Sequence, residues 1–207
     1  MPRTKSSARW LRRHFDDEFV KRARADGFRS RAVYKLQEMD RRDRLFHPGM
    51  VVLDLGAAPG GWSQYAVSRV GTQGRVLAVD LLTIEPISGV EVIQGDIAET
   101  AVLDLLQATL KTRQADLVIS DLAPSISGIA ATDQARFIGL AECVLEVASR
   151  TLVSGGGLLL KVYQGEAQEF VTRAMRSRFD KTAVRKPSAS RAHSPEIYFL
   201  GRGFSGA

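Results

Sequence analysis

Short apolar runs separated by longer mixed segments dominate the chain after residue 50. The runs occupy residues 50–55, 75–81, 90–97, 115–122 and 156–163. Short, nearly continuous apolar runs are typical of strands that are buried on both faces. The segments between them have helical patterns, near residues 62–70, 99–113, 132–153 and 166–178. This alternation predicts a mostly parallel sheet with helices on both faces.

The two ends of the chain depart from this alternation. Two further strand patterns, residues 181–187 and 196–204, follow one another with no long helix between them, which favours an antiparallel hairpin at the sheet edge. Before residue 45 the pattern is helical, with Val33, Leu36 and Met39 on one helical face. We therefore predict a doubly wound α/β domain of about seven strands over residues 45–207. Residues 1–44 form a basic helical extension of that same domain.

Composition limits the classes of protein that the chain can belong to. With 207 residues, 44% of them hydrophobic, the chain is long enough for one sizeable core. Its one cysteine, Cys143, excludes an internal disulfide, and the three histidines are scattered without metal-ligand spacing. No apolar run reaches the length of a membrane span. We expect a cytoplasmic monomer without a metal or a membrane anchor.

The net charge of +6 is unevenly distributed. Residues 1–44 hold 14 Lys/Arg against 7 Asp/Glu, residues 173–204 hold 8 against 2, and the stretch between them holds 7 against 14. Two basic ends around an acidic centre indicate a polyanion partner, and nucleic acid is the obvious one. The side chains expected to contact RNA are Arg9, Arg12, Arg13, Lys21, Arg22, Arg24, Arg29, Arg31, Arg185, Lys186 and Arg191.

A glycine-rich loop and a series of acids mark one edge of the predicted sheet. Residues 54–62 read DLGAAPGGW, directly after the first apolar run. Glycine permits φ > 0 and lets the backbone approach a ligand closely. Ligands of doubly wound sheets bind beyond the carboxyl ends of the strands. The first four strands end in acids at that edge, namely Asp54, Asp80, Asp96 and Asp121.

The loop favours S-adenosylmethionine over a dinucleotide. It does not fit the G-x-G-x-x-G fingerprint, and Pro59 lacks an N–H that a pyrophosphate would need. S-adenosylmethionine carries no phosphate, so a close backbone approach at its methionine end is sufficient. Asp80, about 20 residues beyond the loop, suits the ribose hydroxyls. Asp96 can accept a hydrogen bond from the adenine amino group.

The acceptor atom follows from the side chains near this edge. A cytosine-C5 enzyme needs a cysteine nucleophile, but Cys143 lies in a helical segment and fits a buried position. Exocyclic-amine enzymes have an aromatic residue after the fourth strand, where this chain reads Asp121-Leu-Ala-Pro. A hydroxyl acceptor remains. Lys161, in the apolar segment GGLLLKVY, is the group expected to act on it, because burying an ammonium without a role is costly.

Five segments carry a resemblance to a known family. SRAVYKL, DLGAAPGGWSQY, SDLAPSISG, LLLKVYQGE and RKPSASRAHSPEIYF together resemble the FtsJ/RrmJ family of ribosomal RNA 2′-O-methyltransferases, in order from about Ser7 to Phe204. The resemblance implies a Rossmann-like, S-adenosylmethionine-dependent methyltransferase domain. It also implies a uridine of 23S rRNA as substrate, in the assembled large (50S) subunit. Its catalytic tetrad falls on Lys35, Asp121, Lys161 and Glu196, and its cofactor contacts fall on Gly60, Trp62, Asp80, Asp96 and Asp121.

In the reaction that this resemblance suggests, Lys161 is the proton acceptor, or at least orients the 2′-hydroxyl. Asp121 and Glu196 are expected to position Lys161, and Lys35 to fix the target ribose or its phosphate. The two carboxylates favour the ammonium form of Lys161, whereas Lys35 and the sulfonium oppose it. Two alternatives stay open: a 2′-O-methyltransferase for tRNA or an mRNA cap, and a non-catalytic RNA-binding module on the same fold.

Overall fold

The fold is an α/β sandwich around one sheet. A computed structural model describes residues 17–191 and 194–206. The strands are β1 (Val51–Leu55), β2 (Arg75–Asp80), β3 (Val90–Gln94), β4 (Ala115–Ser120), β5 (Leu152–Tyr163), β6 (Phe179–Arg185) and β7 (Glu196–Phe204). The helices of this part of the chain are α1 (Glu18–Ala25), α2 (Val33–Asp43), α3 (Gly61–Val70), α4 (Thr100–Thr109), α5 (Ala130–Thr151) and α6 (Glu166–Arg178).

The strand order is β3-β2-β1-β4-β5-β7-β6. Strands β1 to β5 pair in parallel, while β7 runs antiparallel to both β5 and β6. The predicted mostly parallel sheet with an antiparallel edge is thereby confirmed. The order reverses between β1 and β4, and this is the point at which doubly wound sheets bind ligands.

Two layers of apolar side chains sandwich the sheet. On one face, Leu53 and Leu158 pack with α4, α5 and α6. On the other, Val52 and Leu159 pack with α2 and α3. This division follows from the two-residue period of a strand, whose successive side chains point to opposite faces.

The N-terminal helices pack onto the second of these faces. Leu36 and Met39 of α2 are 0% and 2% exposed, as the helical pattern predicts, and they join the core beside β1. Val33 packs with Tyr34 and Ala23 in a smaller cluster that joins α1 to α2. None of the helices in the described residues is long and apolar enough to cross a membrane.

Strand β5 differs from its prediction. It begins at Leu152, directly after α5, rather than at Gly156, and its pairing with β4 is irregular between Ala115 and Leu117. The added segment contains exposed residues and Gly155 at φ +83°. A pattern of buried apolar residues does not mark an exposed stretch of strand, so this extension was not predictable from hydrophobicity.

Candidate active site

The glycine loop connects β1 to α3 at the carboxyl edge of the sheet. Gly56 has φ +76°, and a Cβ atom added there would lie 2.3 Å from the Leu122 side chain. Gly60, at φ +107°, is the N-cap of α3. Both backbone conformations belong to the region that favours glycine. The loop therefore needs its glycines both for its turn and for its contact with the segment after β4.

Asp80 ties this loop to the end of β2. Its Oδ2 accepts a hydrogen bond from the Ala58 amide (2.9 Å), and its Oδ1 accepts one from the Leu82 amide (2.8 Å). Asp96, two residues beyond β3, accepts from the Ala98 amide at 2.9 Å. Because β1 to β4 are parallel neighbours, the predicted acids do lie along one edge. Asp80 and Asp96 each hold loop backbone with part of the carboxylate and have acceptor capacity left for a ligand.

Asp54 lies beneath this edge and is 1% exposed. Its Oδ2 accepts a hydrogen bond of 2.6 Å from the Ser63 hydroxyl, which joins β1 to α3. Burial raises the pKa of Asp54 to about 7, and the charges of Asp121 and Asp80 add to the increase. The raised pKa of Asp54 is thus due mainly to its burial, and the neighbouring acids of the edge contribute the smaller part.

The antiparallel pair β5–β7 builds the other half of the site. Its register sets Lys161 opposite Tyr198 and Tyr163 opposite Glu196. Directly opposite residues, and residues two apart on one strand, share a face of the sheet. Lys161, Tyr198 and Glu196 therefore point to the side of the sheet on which α2 packs. The ring of Tyr163, at the end of β5, instead stacks on Phe137 in the core on the α5 side.

Lys161 and Asp121 form the first of two lysine–carboxylate pairs. The Lys161 Nζ atom lies 3.1 Å from Asp121 Oδ1 and also donates to the Asp121 carbonyl oxygen. The Tyr198 hydroxyl donates to the same Oδ1 at 2.6 Å. Lys161 is 8% exposed, so its ammonium depends on these oxygens for stabilisation.

Lys35 and Glu196 form the second pair. Lys35, on α2, places its Nζ 2.6 Å from Glu196 Oε1, and each side chain is 11% exposed. Burial raises the pKa of Glu196, but the charge of Lys35 and its hydrogen bond outweigh this and hold the pKa below its ordinary value. Lys35 Nζ also lies 5.9 Å from the centre of the Tyr198 ring. Tyr198 thus stands between the two pairs.

The four residues of the predicted tetrad are therefore brought together, with a different pairing from the expected one. Glu196 contacts Lys35, whereas Lys161 is held by Asp121 alone among the carboxylates of the described residues. Tyr198, within the apolar strand β7, is also part of this arrangement. It is 0% exposed, but it hydrogen-bonds Asp121 as well. The strand register is the signal that would have revealed this contact.

The side chain of Trp62, a predicted cofactor contact, is buried in the core. Its ring is 4% exposed, and its indole N–H donates to the Ala32 carbonyl oxygen at 2.9 Å. The ring centre lies 5.9 Å from that of Tyr198. The side chain thus supports the site from within the core. Its backbone amide, in the first turn of α3, belongs to the groups that have no acceptor within a helix.

Beside the tetrad lies a cavity of about 340 Å³. Its lining residues are Arg31, Ala32, Lys35, Tyr163, Arg191, Ser194 and Glu196. Three of these are cations and one is an anion. We call it the acceptor cavity. The Lys35–Glu196 pair lines it, whereas Lys161 and Asp121 are not among its lining residues.

Several predicted RNA contacts are engaged within the protein instead. The Arg29 guanidinium donates to the carbonyl oxygens of Pro59, Glu85 and Pro86. Lys186 donates to the carbonyl oxygens of Ser194 and Glu196.

Two further arginines form ion pairs. Arg185 binds both carboxylate oxygens of Asp43, at 2.7 and 2.6 Å. Arg31 pairs with Asp17 and donates to the Ala189 carbonyl oxygen. Six of the predicted contacts are exposed residues, namely Lys21, Arg22, Arg24, Arg29, Lys186 and Arg191. Of these, Arg22 also pairs with Asp26, and Arg191 with Asp17. Arg9, Arg12 and Arg13 lie outside the described residues.

Cys143 is remote from this chemistry. It lies on α5 and lines a groove of about 980 Å³ among α4, α5 and α6, on the face of the sheet opposite Tyr198. Burial raises the pKa of its thiol, and the charge of Asp96 adds to this effect. No cluster of three or more His, Cys, Asp or Glu suited to a metal ion occurs in residues 17–191 and 194–206.

A doubly wound sheet with an antiparallel last strand, a glycine loop after β1 and a lysine beside the end of β4 define the class of Rossmann-like methyltransferases. Comparison with known proteins agrees. Residues 28–204 match the model of the family described as FtsJ-like methyltransferase. The chain belongs to this family of enzymes, and membership implies a methyl-group donor.

Individual relatives are similar over nearly the whole chain. A protein of Stenotrophomonas maltophilia named ribosomal RNA large subunit methyltransferase E is 54% identical over 97% of this chain and 96% of its own length. A protein of the same name from Xanthomonas oryzae is 52% identical over the same shares. A crystal structure described as a ribosomal RNA methyltransferase of Plasmodium falciparum superimposes with a TM-score of 0.79 at 26% identity, covering 87% of this chain and 100% of that one.

Proposed function

We propose that this chain transfers a methyl group from S-adenosylmethionine to the ribose 2′-hydroxyl of a uridine in 23S rRNA, on the assembled 50S subunit. The observation that carries the proposal is the convergence of two lysine–carboxylate pairs on the rim of the acidic edge. The names of the similar bacterial proteins support the large-subunit substrate. All four tetrad residues come from one chain, which supports a monomer. A ribosomal substrate favours a cytoplasmic location for the protein.

The residues at the edge fit S-adenosylmethionine. The carboxylates of Asp80, Asp96 and Asp121, which are half-buried at this edge, would repel a pyrophosphate but favour a cationic ligand. When bound, this cofactor supplies an electrophilic methyl group on a positively charged sulfur. Gly60 and the Trp62 amide would approach its methionine end, Asp80 its ribose hydroxyls, Asp96 its adenine amino group and Asp121 the region beside Lys161.

In its neutral amine form, Lys161 is the proposed proton acceptor for the 2′-hydroxyl; as the ammonium it orients that hydroxyl. Asp121 holds Nζ through both its carbonyl and its carboxylate, which fixes the amine beside the cofactor edge. Tyr198 shares that carboxylate and so weakens its hold on the ammonium. Holding the hydroxyl in line next to a bound donor supplies on the order of 7–11 kcal/mol of the reduction in barrier.

Lys35 is the proposed anchor for the target ribose or its phosphate. Its pairing with Glu196 keeps the ammonium in place at the mouth of the acceptor cavity, since both groups are largely buried. A phosphate that approaches Lys35 would also meet Arg191, which is exposed at the same cavity.

The acceptor molecule is the test of this proposal. Purified 50S subunits, free 23S rRNA, tRNA and capped mRNA would each be incubated with the protein and methyl-labelled S-adenosylmethionine. The 50S subunits should come from cells that lack a ribosomal 2′-O-methyltransferase of this family. We expect label in 50S rRNA, less in free 23S rRNA, and none in tRNA or caps. Methylation of tRNA or caps would favour the alternative substrates, and no transfer to any RNA would favour a binding module.

A further inference from the structure

The acceptor cavity contains an aromatic ring that the tetrad does not use. Tyr163 ends β5, two residues beyond Lys161 and directly opposite Glu196. Its ring stacks on Phe137, with centroids 4.1 Å apart and planes 28° from parallel. Phe137 is 3% exposed and belongs to the core, so it fixes the plane of the Tyr163 ring.

Only part of Tyr163 is buried by this stack. The residue is half-buried, and it lines the acceptor cavity. Because Phe137 covers one face of the ring, only the opposite face and the ring edge are left to contact a ligand. The result is a fixed, flat, apolar surface beside the charged groups that act on the sugar.

The spacing along β5 suits one nucleoside. Residues two apart on a strand are separated by roughly 7 Å. A ribose whose 2′-hydroxyl is at Lys161 therefore has its base within reach of the Tyr163 ring. The cavity volume of about 340 Å³ is near the lower end for ligand pockets, which suits a single nucleotide.

We infer that Tyr163 is the stacking platform for the base of the acceptor nucleotide, with its exposed ring face against a pyrimidine. The inference rests on the proposed function. Sequence-specific RNA recognition commonly splays out single bases and stacks them on aromatic side chains. The cations at the cavity, Arg191 and Lys35, suit the phosphates on either side of such a base. Phe137 packs against the other face of the ring and fixes its orientation before RNA binds.

Two substitutions separate the ring from its hydroxyl. Tyr163→Phe keeps the stack and serves as the matched control, and Tyr163→Leu keeps apolar bulk without a ring. We expect kcat/KM for the RNA to fall by about 10- to 100-fold in the Leu variant and by less than about 3-fold in the Phe variant. Affinity for S-adenosylmethionine, measured by calorimetry, stays within about 2-fold of the wild type in both.

An RNA fragment with an abasic ribonucleotide at the acceptor position tests the stacking itself. It keeps the 2′-hydroxyl and removes the base. Wild-type protein should lose about the same factor on this RNA as the Leu variant loses on the normal one, and the Leu variant should lose no more. An undiminished Leu variant, or wild-type protein that methylates the abasic RNA at the normal rate, would overturn the inference. The wild-type arm gives this answer even if the Leu variant does not fold.

Failure of the proposed function has a different signature. In that case wild-type protein transfers no methyl group to the intact RNA, and the assignment of the acceptor cavity is overturned with it. If transfer occurs and the two Tyr163 variants match the wild type, the function stands and only the platform is wrong.

Discussion

Lys161 is the residue on which we expect the proposed reaction to depend most. Lys161→Met removes the amine and keeps most of the bulk, leaving Asp121 with the Tyr198 hydroxyl as a partner. We expect single-turnover methyl transfer to fall by about 10²- to 10⁴-fold, because general base catalysis has this magnitude. Affinity for S-adenosylmethionine is expected to change by less than about 3-fold.

The matched control for this prediction is Lys181→Met, which changes an exposed lysine on β6. It should transfer methyl groups at the wild-type rate. A Lys161→Met protein that retains turnover within a factor of a few while binding the cofactor normally would contradict the assigned role.

Asp54 gives the protein a pH-dependent stability. Its pKa in the folded state, about 7, exceeds the ordinary value of 3.8, so the folded state binds a proton that the unfolded state releases between those values. The contribution of Asp54 to the free energy of unfolding therefore falls as pH rises from about 4 to about 7, by up to ~1.4 kcal/mol per pH unit, and is constant above pH 7.

Asp54→Asn tests this dependence, because the amide is neutral at every pH and its oxygen can still accept from Ser63. The free energy of unfolding of the variant minus that of the wild type should increase between pH 5 and pH 7.5 in urea titrations. Asp104→Asn, at an exposed position on α4, is the control and should show a constant difference. A constant difference for Asp54→Asn would show that this carboxyl is ionised throughout.

At the scale of single residues, the sequence predicts which residues form the candidate site but not which of them pair with one another. The strand-end positions of Asp80, Asp96 and Asp121 already place them at one edge. The contact of Glu196 with Lys35 rather than Lys161 depends on how α2 lies on the sheet, which no local pattern encodes. The link from Tyr198 to Asp121 depends in turn on the β5–β7 register.

At the scale of secondary-structure elements, the segment before α2 holds the glycine loop in place. The Arg29 guanidinium bridges Pro59 in the glycine loop to Glu85 and Pro86, at 3.2, 2.6 and 2.8 Å. The Arg29 amide also donates to Gln64 on α3 at 2.9 Å. These contacts make Arg29 a positioning residue for the cofactor site.

Arg29→Ala should therefore weaken binding of S-adenosylmethionine by roughly 2- to 10-fold, since an intramolecular hydrogen bond contributes about 0.5–1.5 kcal/mol to stability. Affinity for RNA should change less. Lys21→Ala, on the exposed face of α1, is the matched control and should show the reverse pattern. If Arg29→Ala weakened RNA binding alone, the original assignment of Arg29 to an RNA contact would be correct.

The elements themselves were largely predictable, because alternating strands and helices leave a strong pattern. The exceptions arise where structure is exposed, as in the first residues of β5. The division of the chain at residues 44 and 45 stays a prediction. The position of Lys35 on α2 shows that the extension supplies part of the site as well as basic surface.

Over the whole molecule, the two basic ends predict a binding surface for RNA. The predicted contacts that are exposed in the described residues are Lys21, Arg22, Arg24, Arg29, Lys186 and Arg191. Leaving out Arg29 and Lys186, which donate to backbone carbonyl oxygens of the protein, gives four. Each cation that neutralises a phosphate of single-stranded RNA adds about −0.7 to the slope of log K against log salt concentration. Four such contacts predict a slope of about −3 or steeper.

The slope can be measured by filter binding or fluorescence anisotropy between 50 and 300 mM KCl, a range over which phosphate contacts weaken by about tenfold or more. Lys21→Ala should make it shallower by about 0.7, whereas Lys111→Ala, at an exposed position between α4 and β4, should leave it unchanged. A flat dependence on salt would contradict a phosphate-binding surface.

The central claim is that the two lysine–carboxylate pairs direct methyl transfer to a sugar oxygen. Its most direct test is mass spectrometry of nucleosides from 50S rRNA treated with the protein and isotopically labelled S-adenosylmethionine. The account predicts labelled 2′-O-methyluridine with wild-type protein and none with Lys161→Met. A label on a base, or one that Lys161→Met still incorporates into ribose at the wild-type rate, would contradict it.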